Sequence, residues 1–300
     1  MLNLNKGTRL ANSINYFVYD SIKVVLLLLL VTFLVGLIRT IITPKKIKDF
    51  LNGRKQGVGN FMAAVLGIPI PFCSCSAVPL FLGLMESGIP LGISFSFLIA
   101  SPLINEVAVA LLFALFGIKI ASIYIMSGLI IATLGGFIIG KLNLEKYVIR
   151  LSKKEHLADK KYDLKGRFSF AYHHSVHITK KVLIFVLIGI AIGSLIHGFA
   201  PENLLANLAG KDNFFAVPIA VLIGIPLYSN AAGILPIMNA LIAKGVATGT
   251  ALAFMMSVIG LSFPEFIMLR KVMKLRLLLT FIAVLFFAFV LTGYLFNFLI

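Results

Sequence analysis

Residues 67–76 read G-I-P-I-P-F-C-S-C-S, and Ala77, Val78 and Pro79 follow them. Both cysteines of the chain, Cys73 and Cys75, stand here among Pro69, Pro71 and Pro79 in an apolar region. Proline has no N–H to donate and its ring collides with the preceding turn, so a helix does not run through this stretch unbroken. In hydrocarbon such a break survives only where protein or a water-filled cavity satisfies the freed backbone groups. A broken helix bearing two thiols at membrane depth reads as a site rather than a strut. The second half of the chain has the same break with other chemistry: residues 224–233, G-I-P-L-Y-S-N-A-A-G, with Pro236 beyond.

Composition places these breaks in a membrane. Of 300 residues, 60% are hydrophobic and 13% charged, too few charges to cover a soluble domain of this size. The runs 21–42 and 275–300 reach the ~20 apolar residues that a spanning helix needs. The first run is expected to stay as a helix rather than be removed as a secretory signal. It is long, lacks a small-residue cleavage site and has a repeat partner downstream.

The net charge of +16 raises nucleic acid as a partner, but its distribution speaks against it. Most of the basic residues fall in 39–55, 141–181 and 270–276, between apolar segments. That is the pattern of cytoplasmic loops, and the partner it implies is the lipid bilayer, not nucleic acid. Two cysteines one residue apart form no disulfide framework. No G-x-x-x-x-G-K-[ST] phosphate loop occurs, so nucleotide hydrolysis by this chain is not expected. No cofactor is implied.

The chain divides into a polar tail (1–20), a first membrane repeat (21–141), a basic cytoplasmic linker (142–177) and a second membrane repeat (178–300). In the first repeat a spanning helix over 21–43 is stopped by Pro44, and a basic loop follows. Two half-helices, 60–70 and 72–86, are expected to meet at the Pro-Phe-Cys break. An apolar segment over 90–116 is interrupted at Ser101-Pro102, and a further helix covers 118–140.

A shift of 157 residues lays the second half on the first. Gly36 falls on Gly193, Pro44 on Pro201, Gly67 on Gly224, Pro69 on Pro226, Pro79 on Pro236 and Gly92 on Gly249. Chance apolar similarity does not keep that many glycines and prolines in register. Past Phe97 and Phe254 a two-residue insertion is expected to bring Glu106 onto Glu265. Charge gives the repeat a sign. The loop after Pro44 carries Lys45, Lys46, Lys48, Arg54 and Lys55, while the one after Pro201 has Lys211 against Glu202 and Asp212. The loop near Lys119 is poor in charge, while its equivalent at 270–276 is rich. The expected fold is therefore an all-α integral membrane protein of two inverted-topology repeats with discontinuous, proline-broken helices. In that architecture a transport site lies near the midplane between the repeats, and both chain ends lie outside the cytoplasm.

Cys73 and Cys75 either fill space, as free cysteine commonly does, or meet a substrate. Two thiols at a helix end suit a soft centre such as Cu(I) or a trivalent arsenic with one organic group; a closed zinc site needs more ligands. Ser74, Ser76, Tyr228, Ser229 and Asn230 share the breaks and are candidates for the same substrate site. Glu106 and Glu265 are acids inside apolar segments, where a charge is costly. With Asn105 they are candidates for coupling to an ion gradient, or else they cap half-helix N-termini, where negative charge is favoured. His173, His174 and His177 form H-H-x-x-H, a chelating spacing without the glutamate of zinc proteases. Lys180 and Lys181 nearby favour a membrane-surface role over a metal.

These residues also carry a resemblance. P-F-C-S-C-S-A-V-P, the segment S-P-L-I-N-E, and in the second half G-I-P-L-Y-S-N-A-A-G with S-F-P-E resemble the YraQ/ArsP permease family over nearly the whole chain. The resemblance implies a membrane permease whose best-known activity is efflux of trivalent organoarsenicals such as methylarsenite. It matches Cys73 and Cys75 to the family's Cys-Ser-Cys pair, where a glycine commonly follows; here Ser76 stands at that position.

The sequence thus leads to a multi-pass permease of the bacterial inner (plasma) membrane, not an enzyme, exporting a small thiophilic solute with proton coupling. Two alternatives stay open. One is a permease for another small solute or anion with structural cysteines, and the other is a membrane dithiol redox or sulfur-handling enzyme. A homo-oligomer is compatible with all three.

Overall fold

The apolar segments fold as helices whose ends fall at the glycines, prolines and small polar residues between them. The computed structural model describes residues 56–68, 74–86, 88–149, 163, 165–173, 214–227 and 231–299, with isolated helical positions over 18–37 and 175–187. The first four helices are α1 (Val58–Gly67), α2 (Ser74–Glu86), α3 (Leu91–Leu103) and α4 (Glu106–Lys141). The later ones are α5 (Ala216–Gly224), α6 (Ala231–Ala243), α7 (Thr248–Gly260), α8 (Phe263–Val272) and α9 (Leu275–Leu299). No strand is formed among the described residues; Val148 and Met273 make an isolated antiparallel bridge.

Two of these helices, α4 and α9, are long and apolar enough to cross a membrane. Their outer faces are apolar as well. Met126, Ile130, Leu134 and Ile138 make an exposed stripe at four-residue spacing on α4, and Leu279, Phe287, Leu291 and Leu295 are exposed on α9. Water would oppose such faces, whereas lipid covers them.

The centre is made of helices too short to span. Helix α3 is buried at every residue, and α7 is buried from Gly249 to Gly260. At 13 residues each they are about 20 Å long, against a hydrocarbon core of about 30 Å. Short helices are tolerated at this depth because the protein around them, not lipid, meets their ends. The Tyr124 hydroxyl, for example, donates to Leu103 O at the end of α3 (2.9 Å).

The 157-residue spacing reappears in the helix bounds. It carries α2 onto α6, α3 onto α7, the end of α1 onto the end of α5, and the cap Asn105 onto the cap Ser262. Helix α4 is broken at Gly117, whose φ of 77° and ψ of 177° leave the helical region. The piece after that break matches α9, which begins at Leu275. Packing repeats as well. The pairs α1–α3, α2–α3, α3–α4 and α1–α4 have counterparts in α5–α7, α6–α7, α7–α9 and α5–α9. Between the halves α3 meets α7, α4 meets α9, and the remaining contacts cross: α2 on α8, α6 on α4.

Glycine sets the closest approaches. A methyl at Gly136 would overlap Ser96 Oγ and stand 2.5 Å from Gly92 O; one at Gly249 would stand 2.5 Å from both Gly293 O and Asn297 N. Gly136 and Gly293 are 157 apart, as are Gly140 and Asn297. The expected two-residue insertion before Glu265 is therefore absent. The backbone register is unbroken, and the acids sit at different helix positions: Glu106 opposite Phe263, and Glu265 two residues further in.

Two other expectations change in detail. Ser101-Pro102 does not interrupt the helix; Pro102 occupies the last turn of α3, and the chain breaks at Ile104 and Asn105. The stretch 142–177 is not all connector. It contains a 3-10 turn at Leu144–Tyr147 and helix over 165–173, in which Ala171 is buried while Phe168 and Tyr172 are exposed. Phe168 packs on Phe33 with ring centroids 6.0 Å apart, and Ser175 Oγ donates to Leu29 O (2.9 Å), joining this helix to the first apolar segment.

Candidate functional site

Three helix starts frame the candidate site. Helix α2 begins at Ser74, so Ser74, Cys75 and Ser76 form its first turn, where backbone N–H groups have no intrahelical partner. Cys73 lies outside the described residues, and so do Tyr228, Ser229 and Asn230. From Ala77 onward α2 is interior: Ala77, Val78, Phe81 and Leu84 are buried. Helix α6, which follows the second break, buries Ile234, Leu235 and Met238 in the same way.

The other two starts separate the two acids. At the head of α4, the Asn105 side chain accepts from Ala108 N–H (2.7 Å), an N-cap bond, and Glu106 is exposed. At the head of α8, Ser262 is the cap residue but its Oγ makes no cap bond. Glu265, three residues on, is 1% exposed. Both of its carboxylate oxygens, and the Oγ atoms of Ser262 and Ser101, are buried without a hydrogen-bond partner among the described residues. Buried polar groups in native proteins are nearly always paired, so the head of α8 has polar capacity to spare; Ser21 Oγ and Thr179 Oγ1 are also buried without a partner among the described residues.

Helix α8 packs against α2. The helix that carries Glu265 is thus the neighbour of the one whose first turn holds Cys75. Helix α4, which carries Glu106, packs across on α6, whose break has no thiol.

Two features were not legible as such in the sequence. Ser262-Phe263-Pro264-Glu265 has the spacing of a capping box, a signal available in the residues, yet the structure leaves that box unmade. The second is a latch on the basic side. Lys274 N–H donates to Tyr147 O and Ile149 N–H to Val272 O, each at 2.8 Å, and Arg276 donates to the Tyr147 hydroxyl at 3.1 Å. That hydrogen bond, with the charges of Lys146, Arg276 and Lys274, holds the Tyr147 phenol below its ordinary value. Of the histidines, His173 is exposed with its ring 5.8 Å from that of Tyr172, and His174 and His177 lie outside the described residues. Among the described residues no three His, Cys, Asp or Glu side chains are grouped to hold a metal.

Comparison with known proteins adds a family. Residues 9–298 match the family model ArsP_1, described as a predicted permease. The chain is 24% identical over 324 residues to UPF0718 protein MJ0584 of Methanocaldococcus jannaschii, covering 88% of this chain and 89% of that protein. It is 21% identical over 219 residues to UPF0718 protein YraQ of Escherichia coli, covering 73% of this chain and 62% of that one. A Streptococcus mutans protein named as a putative two-component membrane permease complex subunit is 22% identical over 262 residues, 85% of each chain. No solved structure matches the chain significantly.

Proposed function

The chain belongs to the ArsP_1 family of permeases, and on that premise we propose that it exports a small thiophilic solute across the bacterial inner membrane. Trivalent organoarsenicals such as methylarsenite are the most concrete substrate. Family membership supports membrane transport; the substrate is read from Cys73 and Cys75.

The observation that carries the reading is the doubled set of short helices. The buried helices α3 and α7 meet at the centre, and each is packed by a half-helix, α2 or α6, that begins at a break. Such an arrangement supports a solute site enclosed between two repeats, inverted with respect to each other as the loop charges require. Ser74, Ser76, Tyr228, Ser229 and Asn230, which stand at the two breaks in the sequence, are the candidates to meet the solute with hydrogen-bonding groups. Glu106, Glu265 and Asn105 are the candidates for coupling export to a proton gradient. The name of the S. mutans relative supports a second membrane protein as partner.

A monosubstituted trivalent arsenical has two ligands to exchange, and two thiols supply both. Uptake of methylarsenite into everted membrane vesicles tests this directly. The intact protein is expected to accumulate it, while Cys73→Ser and Cys75→Ser each abolish accumulation at normal membrane levels of protein. Inorganic arsenite, which favours a third thiolate, is expected to be handled poorly. Full transport in the double variant would turn the reading to a permease in which the cysteines only pack. Thiol turnover without solute movement would turn it to a membrane dithiol enzyme.

A further inference from the structure

Building on the transport reading above, we propose that the coupling proton is carried by Glu265 alone, beside the thiol helix, and that Glu106 takes no part.

The two acids look equivalent in sequence, and the fold makes them different. Glu106 is the first residue of α4, exposed, behind a cap residue that has made its bond. A carboxylate there stands at a helix start, whose free N–H groups favour negative charge.

Glu265 also stands in the first turn of its helix, but the cap residue beside it makes no side-chain bond. Glu265 is buried, and neither oxygen has a donor among the described residues. In a capping box the serine oxygen takes the N–H of the third helical residue, and the glutamate takes the N–H of the cap. Ser262 and Glu265 have the spacing, yet both side chains are left unbonded. Ser101 Oγ, at the end of α3, is another buried hydroxyl with its capacity unused among the described residues. A buried carboxyl without a donor among the described residues, three residues from the unused hydroxyl of Ser262, calls for a partner that comes and goes. A proton is the smallest such partner and the one a carboxyl binds reversibly.

The surroundings provide no fixed counter-ion among the described side chains. Helix α8 packs against α2 and α9. The titratable residues of α2 are Cys75 and Glu86, and those of α9 are Arg276 and Tyr294. Arg276 is exposed and bonded to Tyr147, and Tyr294 donates to Phe214 O. On α8 itself Arg270 is exposed and donates to Met273 O, and Lys271 is the other cation of that helix.

Position relative to the thiols completes the argument. Helix α8 lies on α2, which carries Cys75 in its first turn, so loss or gain of a proton at Glu265 is felt at the thiol helix through one packed interface. The equivalent contact of α4 is with α6, which has no thiol. The proton step is a simple dissociation: the carboxyl O–H breaks on one side of the cycle, and the same oxygen is reprotonated from the other side.

Two measurements on the full-length protein in proteoliposomes test this. The first is labelling with a hydrophobic carbodiimide, which reacts with protonated carboxyls inside membranes, followed by mass spectrometry. Label is expected on Glu265 in the wild type and in Glu106→Gln, decreasing as pH rises, and at no other acid; label on Glu106 with Glu265 unmodified overturns the proposal. The second compares accumulation of methylarsenite driven by an imposed pH gradient with its exchange at equal pH. Glu265→Gln is expected to lose accumulation at least tenfold and keep exchange, while Glu106→Gln keeps both within about twofold. Gradient-driven accumulation surviving in Glu265→Gln overturns the proposal. If the wild type moves no methylarsenite yet Glu265 takes the pH-dependent label, the proton site stands and the substrate reading falls.

Discussion

The half built from α1 to α4 and the half built from α5 to α9 share a backbone and differ in where their polar groups go. At 157-residue spacing the same close approaches recur: Gly92 against Gly136 and Gly140, Gly249 against Gly293 and Asn297. The polar pairs do not recur. Asn60 Nδ2 donates to Ser96 Oγ (2.9 Å) in the first half, and Val217 and Ala253 stand at those positions in the second. Asn297 bonds Thr250 twice in the second half, where the first has Gly140 and Ile93. The breaks also differ. Gly117 is exposed with nothing near it, while the break at Met273 and Lys274 is latched to residues 147–149. Where the halves agree they describe packing, and where they disagree they locate chemistry.

The largest test of this comparison is its sign. If the halves are inverted, single cysteines placed at 45–55 and at 201–213 in a cysteine-free background will take an impermeant maleimide from opposite sides of the membrane. Labelling from one side would leave a repeat without inversion. Next in size are the shared glycines. Gly136→Ala forces a methyl onto Ser96 Oγ and the Gly92 carbonyl, and overpacking of this kind costs ~1–3 kcal/mol or more. Thermal unfolding in detergent should show a large loss. Gly117→Ala meets no neighbour, and its cost is the ~1–3 kcal/mol of a φ/ψ pair confined essentially to glycine. Equal losses in both would mean that the close approach is looser than drawn.

A smaller effect tests the unshared polar pair. Ser96→Ala leaves the buried Asn60 amide with a donor unmet, at about 1–3 kcal/mol. Adding Asn60→Val, which installs the residues of the second half, removes the orphan. The double variant should therefore unfold above Ser96→Ala, although it also gives up the Asn60 Oδ1 bond from Gly57 N–H (3.0 Å). A double variant below the single one would show that Asn60 matters chiefly through that turn.

Much of the frame was legible because glycine and proline mark backbone, and backbone is what the repeat preserves. The register from Gly67 on Gly224 through Gly92 on Gly249 was readable for that reason. It was lost after Phe97 because matching Glu106 to Glu265 by residue type suggested an insertion the helices do not have. The buried orphan at Glu265 was not readable either. Ser262 and Glu265 have capping-box spacing, and whether that box closes depends on how α8 sits on α2 and α9. The latch at Tyr147 joins residues more than a hundred positions apart, and no local pattern announces such a contact.

The smallest effect concerns that latch, and it decides whether the second break is held. The Tyr147 phenol lies below its ordinary value of 10.0, first through the hydrogen bond from Arg276 and then through nearby Lys146, Arg276 and Lys274. A group depressed in the folded state adds stability above its unfolded value and loses it as pH falls through the folded one. The latch should therefore tighten as pH rises toward 10 and be weakest at neutrality. Tyrosinate absorbance, with Tyr147→Phe as the blank, should show one phenol ionising earlier than the rest, and Arg276→Leu should move it back up. At neutral pH Tyr147→Phe should leave the unfolding temperature nearly unchanged, because the side chain is at the surface and the backbone bonds from Lys274 and Ile149 remain. If Arg276→Leu moves nothing, the side-chain half of the latch is not formed in solution. The break at Met273 is then held by backbone alone, and the contrast with Gly117 narrows to two hydrogen bonds.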